Sequence, residues 1–245
     1  MVESDSGAER SSAQWFRRGI IAAFSVPALI LFSAIIGFAG LAREAGLTLP
    51  EALFMTAFIW ALPGQVILVG GMLSGNSLLA SAFAVSLSSI RLMPMVVAIV
   101  PEMRTAKTRK WVLYFLSHFV AVTSWVLALQ NFRTIPHERR TAFYAGLGPT
   151  LIFGSLVVTV LVYAVAPKLP SAVSAGLFLL TPIYFLTSLW GSAREKAVHF
   201  GMIFGLAFGP VFHILTPQFD LLGAGLSGGI LAFGLHLFLK RRRAA

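Results

Sequence analysis

From about residue 19 to residue 239 the chain is a succession of apolar stretches. Most approach the ~20 residues that a helix needs to cross a bilayer. Little else can be built from such a pattern. Soluble domains carry roughly 25% charged residues; this chain of 245 carries 11%, against 57% hydrophobic. The short alternating segments of a transmembrane barrel are absent. The fold class is therefore all-α: a polytopic integral membrane helical bundle of about eight spans with broken helices, bathed in the lipid bilayer.

The spans are expected at about 19–42, 50–72, 77–99, 111–131, 141–166, 171–190, 196–214 and 219–239. Three parts follow: a disordered cytoplasmic N-terminus and interfacial anchor (1–18), a transmembrane transport domain (19–239) and a basic cytoplasmic tail (240–245). The anchor is Gln14-Trp15-Phe16-Arg17-Arg18, aromatics beside two cations. No cleavable signal-peptide pattern is expected at the N-terminus. Thr48 and Glu51 read as a capping box, with Pro50 in the first turn. Ser192 and Glu195 read as a second. Gly201, Gly205 and Gly209 form a small-residue face. Central prolines in the second and sixth spans (Pro63, Pro182) and late ones in the third and seventh (Pro94, Pro210) hint at a parallel internal repeat.

Net charge is +10. The cations sit mostly in loops and tails, which is a topology signal rather than a nucleic-acid footprint. No nucleic-acid partner is expected. With eight crossings, twelve basic residues flank the side of the termini and six the other, the nineteenth being Arg91. The positive-inside rule then makes both termini cytoplasmic. The loop at 101–110, with Arg104, Lys107, Arg109 and Lys110, runs against it.

The stretch from Glu51 to Met95 holds the chemistry. One apolar segment breaks at Leu62-Pro63-Gly64-Gln65. The next carries Ser88, Ser89 and Arg91. An arginine at mid-helix costs about 2.5–3.5 kcal/mol on insertion scales and needs a partner or an aqueous cavity. Broken backbone at membrane depth survives only where protein or a cavity satisfies it. Pro63, Gly64, Gln65, Ser88, Ser89 and Arg91 are the candidate substrate-binding residues. Gln65 offers donor and acceptor, and Arg91 a bidentate clamp for a carboxylate. Apolar walls would come from Phe58, Ile59 and Leu92. No catalytic residue, metal site or cofactor is expected: all nine acids lie outside the apolar cores, there is no cysteine, and no P-loop occurs. The chain does not read as an enzyme.

Gly37-Phe38-Ala39-Gly40-Leu41 and Ala45-Gly46-Leu47-Thr48 are similar to the opening of the AzlC-type branched-chain amino acid exporter family. Trp60-Ala61-Leu62-Pro63-Gly64-Gln65 falls where that family has a small-residue run ending in glutamine. Ser89-Ile90-Arg91-Leu92 falls where it has an Asn-x-Arg segment. The resemblance extends over roughly 20–239. It implies efflux of branched-chain or similar amphipathic amino acids across the cytoplasmic (inner) membrane, with a small AzlD-type membrane subunit as partner. His118-Phe119 stands where many members have Asp-Glu, so His118 is the candidate coupling residue, since an imidazole titrates near neutral pH. The reading from another class is a channel-like or scaffold subunit for another small solute.

Overall fold

The computed structural model describes residues 11–166, 196–216 and 219–244, with single positions at 176, 179, 183, 186 and 190. The sixth span, the 192–195 capping box and the 167–170 turn lie outside the described residues, and with them the proposed repeat. The described secondary structure is helical, without strands. The helices are α1 (Ser12–Ala22), α2 (Val26–Glu44), α3 (Leu49–Phe58), α4 (Leu62–Leu73), α5 (Leu78–Ser89), α6 (Leu92–Met103), α7 (Lys110–Ser117), α8 (Val122–Phe132), α9 (Arg140–Val165), α10 (Lys196–Leu215) and α11 (Asp220–Ala244).

By length and composition, four of these can cross a membrane: α2, α9 with the short turn before it, α10 and α11. α5 and α6 together make a fifth, bent by 41° at Ile90–Arg91. The expected spans at 50–72 and 111–131 are instead pairs of short helices. α3 and α4 have 10 and 12 residues, α7 and α8 have 8 and 11. At 1.5 Å per residue each reaches only about half of a ~30 Å hydrocarbon core.

Side-chain contacts fix how these pairs run. Arg140, at the start of α9, bonds Glu102 at the end of α6, and its Nη2 donates to Phe132 O at the end of α8 (2.9 Å). Thr141 Oγ1 donates to Met103 O (2.6 Å). Lys110, at the start of α7, lines a cleft with Pro101 and Arg104 of α6. Both ends of the α7–α8 pair therefore sit at the α9 N-terminal end, and the pair folds back on itself.

The α3–α4 pair enters from the opposite end. Tyr163, late in α9, donates from its hydroxyl to Leu47 O just before α3 (3.0 Å). α4 and α5 run antiparallel, with Gly64 beside Val85 and Gly71 beside Ser81. Because α5 leads through a shallow bend into α6, Leu78 and Leu73 lie at the Leu47 end. α3 thus climbs from that end and α4 returns to it. Neither pair crosses, which corrects the eight-crossing expectation at the second and fourth spans.

The correction also removes the anomaly of the basic loop. Within residues 11–166, Arg17, Arg18, Arg104, Lys107, Arg109, Lys110, Arg133, Arg139 and Arg140 now share one end, against Arg43 alone at the other.

Packing follows small residues. A Cβ on Gly19 would lie 2.0 Å from Phe143 O, and one on Gly146 2.1 Å from Phe16 O, so α1 and α9 cross backbone to backbone. Lipid tails are as apolar as leucine, so such close approach, rather than hydrophobic burial, drives helices together in a membrane. The expected first span therefore splits: α1 packs on α9 with Trp15 buried, and α2 opens anew at Val26-Pro27. α10 and α11 form a separate antiparallel contact, in which Gly228 meets Gly205 backbone. Of the expected glycine face, a Cβ on Gly201 would reach Ala232 at 3.8 Å, whereas one on Gly205 or Gly209 would meet none of the described residues within 4 Å; the close approach is made at Gly228, where a Cβ would lie 2.9 Å from Gly205 N.

Candidate functional site

The two hairpin tips meet. The first is Ile59-Trp60-Ala61, three residues upstream of the proline that announced it. Proline lacks an N–H and is tolerated in the first helical turn, so Pro63 opens α4 instead of interrupting a helix. The chain reverses at Trp60, the one described non-glycine residue with positive φ (49°). Ala61 N–H bonds Ile59 O across it, closing a γ-turn. A left-handed conformation costs a side-chain-bearing residue about 1–2 kcal/mol. It persists here because the indole is buried and its Nε1 donates to Phe119 O on the other tip (3.3 Å).

The second tip is His118-Phe119-Val120-Ala121. Phe119 O also accepts from Ser124 Oγ (2.7 Å) and the Tyr144 hydroxyl (3.0 Å). Ala121 N–H donates to Ser124 Oγ (2.9 Å), which caps α8. One carbonyl thus gathers three donors from three segments, more than its two lone pairs serve fully. His118 Nε2 lies 2.8 Å from Ala57 O. A carbonyl can only accept, so Nε2 carries the proton. The tips are therefore cross-linked both ways, Trp60 to Phe119 and His118 to Ala57.

The remaining candidates lie beside this crossing. Gln65 is fully buried; its Nε2 donates to Met55 O across the α3–α4 hairpin (3.0 Å), and its Oε1 is buried without a partner among the described residues. Gly64 faces Ile59 (3.4 Å) and Val85 (3.7 Å). The α4–α5 register carries Ser88, Ser89 and Arg91 to the level of the first tip. Ser89 Oγ donates to Val85 O (2.8 Å). Arg91 sits in the break between α5 and α6, half-buried, with a buried Nε that has no partner among the described residues. Among the described residues no hydrogen bond joins Arg91 to Gln65 or to His118. Of the expected apolar walls, Ile59 and Leu92 are half-buried, whereas Phe58 is mostly exposed and stacks on Phe54 (4.5 Å).

Trp60, Ser124 and Tyr144 are not among the site residues expected from the sequence, Trp60 entering only as the first residue of the motif that ends in Gln65. Ser124 carried a usable signal: three residues after a possible helix start, its hydroxyl can cap. Tyr144 carried none, because its role depends on a carbonyl 25 residues away.

Three half-helices begin at this depth: α4 at Leu62, α6 at Leu92 and α8 at Val122. Helix N-termini carry about half a positive charge and unsatisfied N–H groups. Arg91, in the α5–α6 break, brings a guanidinium to the same level, and Gln65 a buried acceptor with no partner among the described residues.

No curated protein and no solved structure matches the chain. A family model described as AzlC protein matches residues 27–169, more than half of the chain and the whole run from α2 through both hairpins to α9. The chain is a multi-pass membrane protein and belongs to the AzlC family, which is associated with membrane transport rather than with enzymatic activity.

Proposed function

We propose that the chain is the large subunit of a two-component exporter that moves branched-chain or similar amphipathic amino acids out across the cytoplasmic membrane. The observation that supports it best is the meeting of two re-entrant tips beside two unsatisfied buried polar groups, Gln65 Oε1 and Arg91 Nε. A buried polar atom without a partner is costly, and a zwitterion supplies what both lack. Its carboxylate takes the Arg91 guanidinium and the N-termini of the half-helices. Its ammonium donates to Gln65 Oε1. Ile59 and Leu92 meet the side chain, with Pro63 and Gly64 holding the turn open to it and Ser88 and Ser89 alongside. Discontinuous helices that aim their N-termini at a substrate carboxylate are a recurrent transporter device.

His118 couples the cycle to protons in this reading. Protonation at Nδ1 adds a positive charge to the tip while Nε2–H stays on Ala57 O. We read the basic-rich end of the bundle, with α1, as the cytoplasmic one by the positive-inside rule, and both termini as cytoplasmic. The small AzlD-type membrane subunit is the partner.

Cells loaded with labelled leucine, making this chain and its small partner, should lose the label faster than vector controls. Saturation and counterflow should accompany the loss, as for an alternating-access carrier; non-saturable flux would favour the channel-like reading. Equal retention with and without the chain, partner present, would sink the exporter. Arg91→Ala should abolish efflux at normal protein level; unchanged efflux would make Arg91 structural.

A further inference from the structure

A cleft of about 520 Å³ lies between α6 and α7, outside the tip crossing. Its walls include Val96, Val97, Val100 and Leu113, and Arg104 and Lys110 stand at its mouth. The two helices are antiparallel along it, so the cations lie at the basic-rich end and the apolar walls run inward. Val97 is 64% exposed and Tyr114, also lining, is 76% exposed, so the cleft opens sideways rather than into the bundle.

We propose that this cleft holds one anionic phospholipid, an acyl chain against the valines and the phosphate between Arg104 and Lys110. The charge pattern selects the headgroup. Neither cation has an acidic partner among the described residues, and the nearby Glu102 is committed to Arg140. A zwitterionic headgroup would bring an ammonium that nothing here receives. The same argument disfavours an amino acid: the polar wall groups, Ser117 and the Tyr114 hydroxyl, are neutral, and no carboxylate lines the cleft to balance an ammonium. Basic pockets between membrane helices on the cytoplasmic side are a general mode of anionic-lipid recognition. The site is adjacent to the α7–α8 hairpin, so an occupied cleft braces the second tip from outside.

The test is native mass spectrometry of the purified full chain titrated with phosphatidylglycerol or phosphatidylcholine. Wild type should retain one phosphatidylglycerol at a concentration at least tenfold lower than phosphatidylcholine needs. The surface double substitution R104Q/K110Q should erase that preference. Val97→Trp, which fills the cleft and leaves both cations, should lower retention of either lipid severalfold. Equal retention of the two lipids by wild type would overturn the proposal, as would unchanged phosphatidylglycerol binding in R104Q/K110Q. Unchanged binding in Val97→Trp would reduce it to surface adsorption. Displacement of the lipid by free leucine would reassign the cleft to amino-acid entry. The proposal stands apart from the transported solute, since lipid retention is read without transport.

Discussion

The two hairpin tips occupy equivalent places and are built in opposite ways. Each enters from one end of the bundle, stops near the middle and bonds the other. The α7–α8 tip is tied down: Phe119 O takes donors from Trp60, Ser124 and Tyr144, and Ser124 also caps α8. The α3–α4 tip is held under strain, with Trp60 at φ 49° and Gln65 keeping a buried acceptor unmet. Backbone strain and unsatisfied groups persist where the surroundings over-determine them, and such places are where function concentrates. In the proposed function the α3–α4 tip meets the solute, and the α7–α8 tip holds it in place and carries His118.

Trp60→Ala tests that division most severely. It removes a buried indole that spans both tips, and a loss of about 3–5 kcal/mol is expected, as for large core truncations. Trp60→Gly removes the same ring but accepts positive φ without strain. The glycine variant should therefore be the more stable of the two by about 1 kcal/mol. Thermal or denaturant unfolding in detergent compares them, and equal stability would remove strain from the account of this tip.

Gly148→Ala comes next. A Cβ there would sit 2.6 Å from Phe119 Cβ, which is no flexible side-chain end and cannot swing away. Pushing the anchored tip off α9 should cost about 1–3 kcal/mol, the usual range for overpacking. Gly70 in α4 is the control, because a Cβ there meets none of the described residues within 4 Å. Gly70→Ala should stabilise by about 0.5–1 kcal/mol through helix propensity alone. A Gly148→Ala variant as stable as wild type would mean that the second tip is free to move.

What the sequence made legible follows from which constraints are local. The Thr48–Glu51 capping box forms as read, Glu51 Oε2 accepting from both Thr48 N and Thr48 Oγ1 (2.7 Å each). The break in the second span was announced by Pro63 but displaced, because proline marks where a helix starts as readily as where one stops. The break at His118–Ala121 contains neither proline nor glycine, so nothing local gave it away. Its trace was non-local: two basic loops, 101–110 and 133–140, that satisfy one rule only if they share a side. Treating the second span alone as re-entrant worsens the charge count, and folding back both hairpins repairs it. Among the site residues, Gln65 and Arg91 stand out by type in an apolar run. Trp60 and Tyr144 do not, since buried aromatics are ordinary in such a chain.

Tyr144→Phe should have a smaller effect. It deletes one of three donors to Phe119 O and also the contact to Ser124 Oγ (3.3 Å). Because Ser124 and Trp60 still serve the carbonyl, about 1 kcal/mol is expected, the usual net value of one hydrogen bond. A much larger loss, read from the same unfolding curves, would show that the three donors act cooperatively.

Gln65→Met should move stability least, and it separates the two tips most cleanly. The substitution removes the Nε2 bond to Met55 O, yet that carbonyl still accepts from Ile59 N (2.9 Å). It also removes Oε1, whose unmet burial opposes folding. Losing a bond and losing an unsatisfied acceptor act in opposite directions, so the net change should stay within about 1 kcal/mol. Thioether and amide are close in volume, and methionine adapts to irregular cavities. Folded protein at normal level but efflux of leucine reduced at least tenfold is the expected result. Tyr144→Phe should show the converse pattern, lower stability with efflux per folded molecule unchanged. If Gln65→Met exports like wild type while Tyr144→Phe does not, the roles of the two tips are exchanged: the acceptor at Gln65 is only a packing defect, and the carbonyl at Phe119 is the part that works.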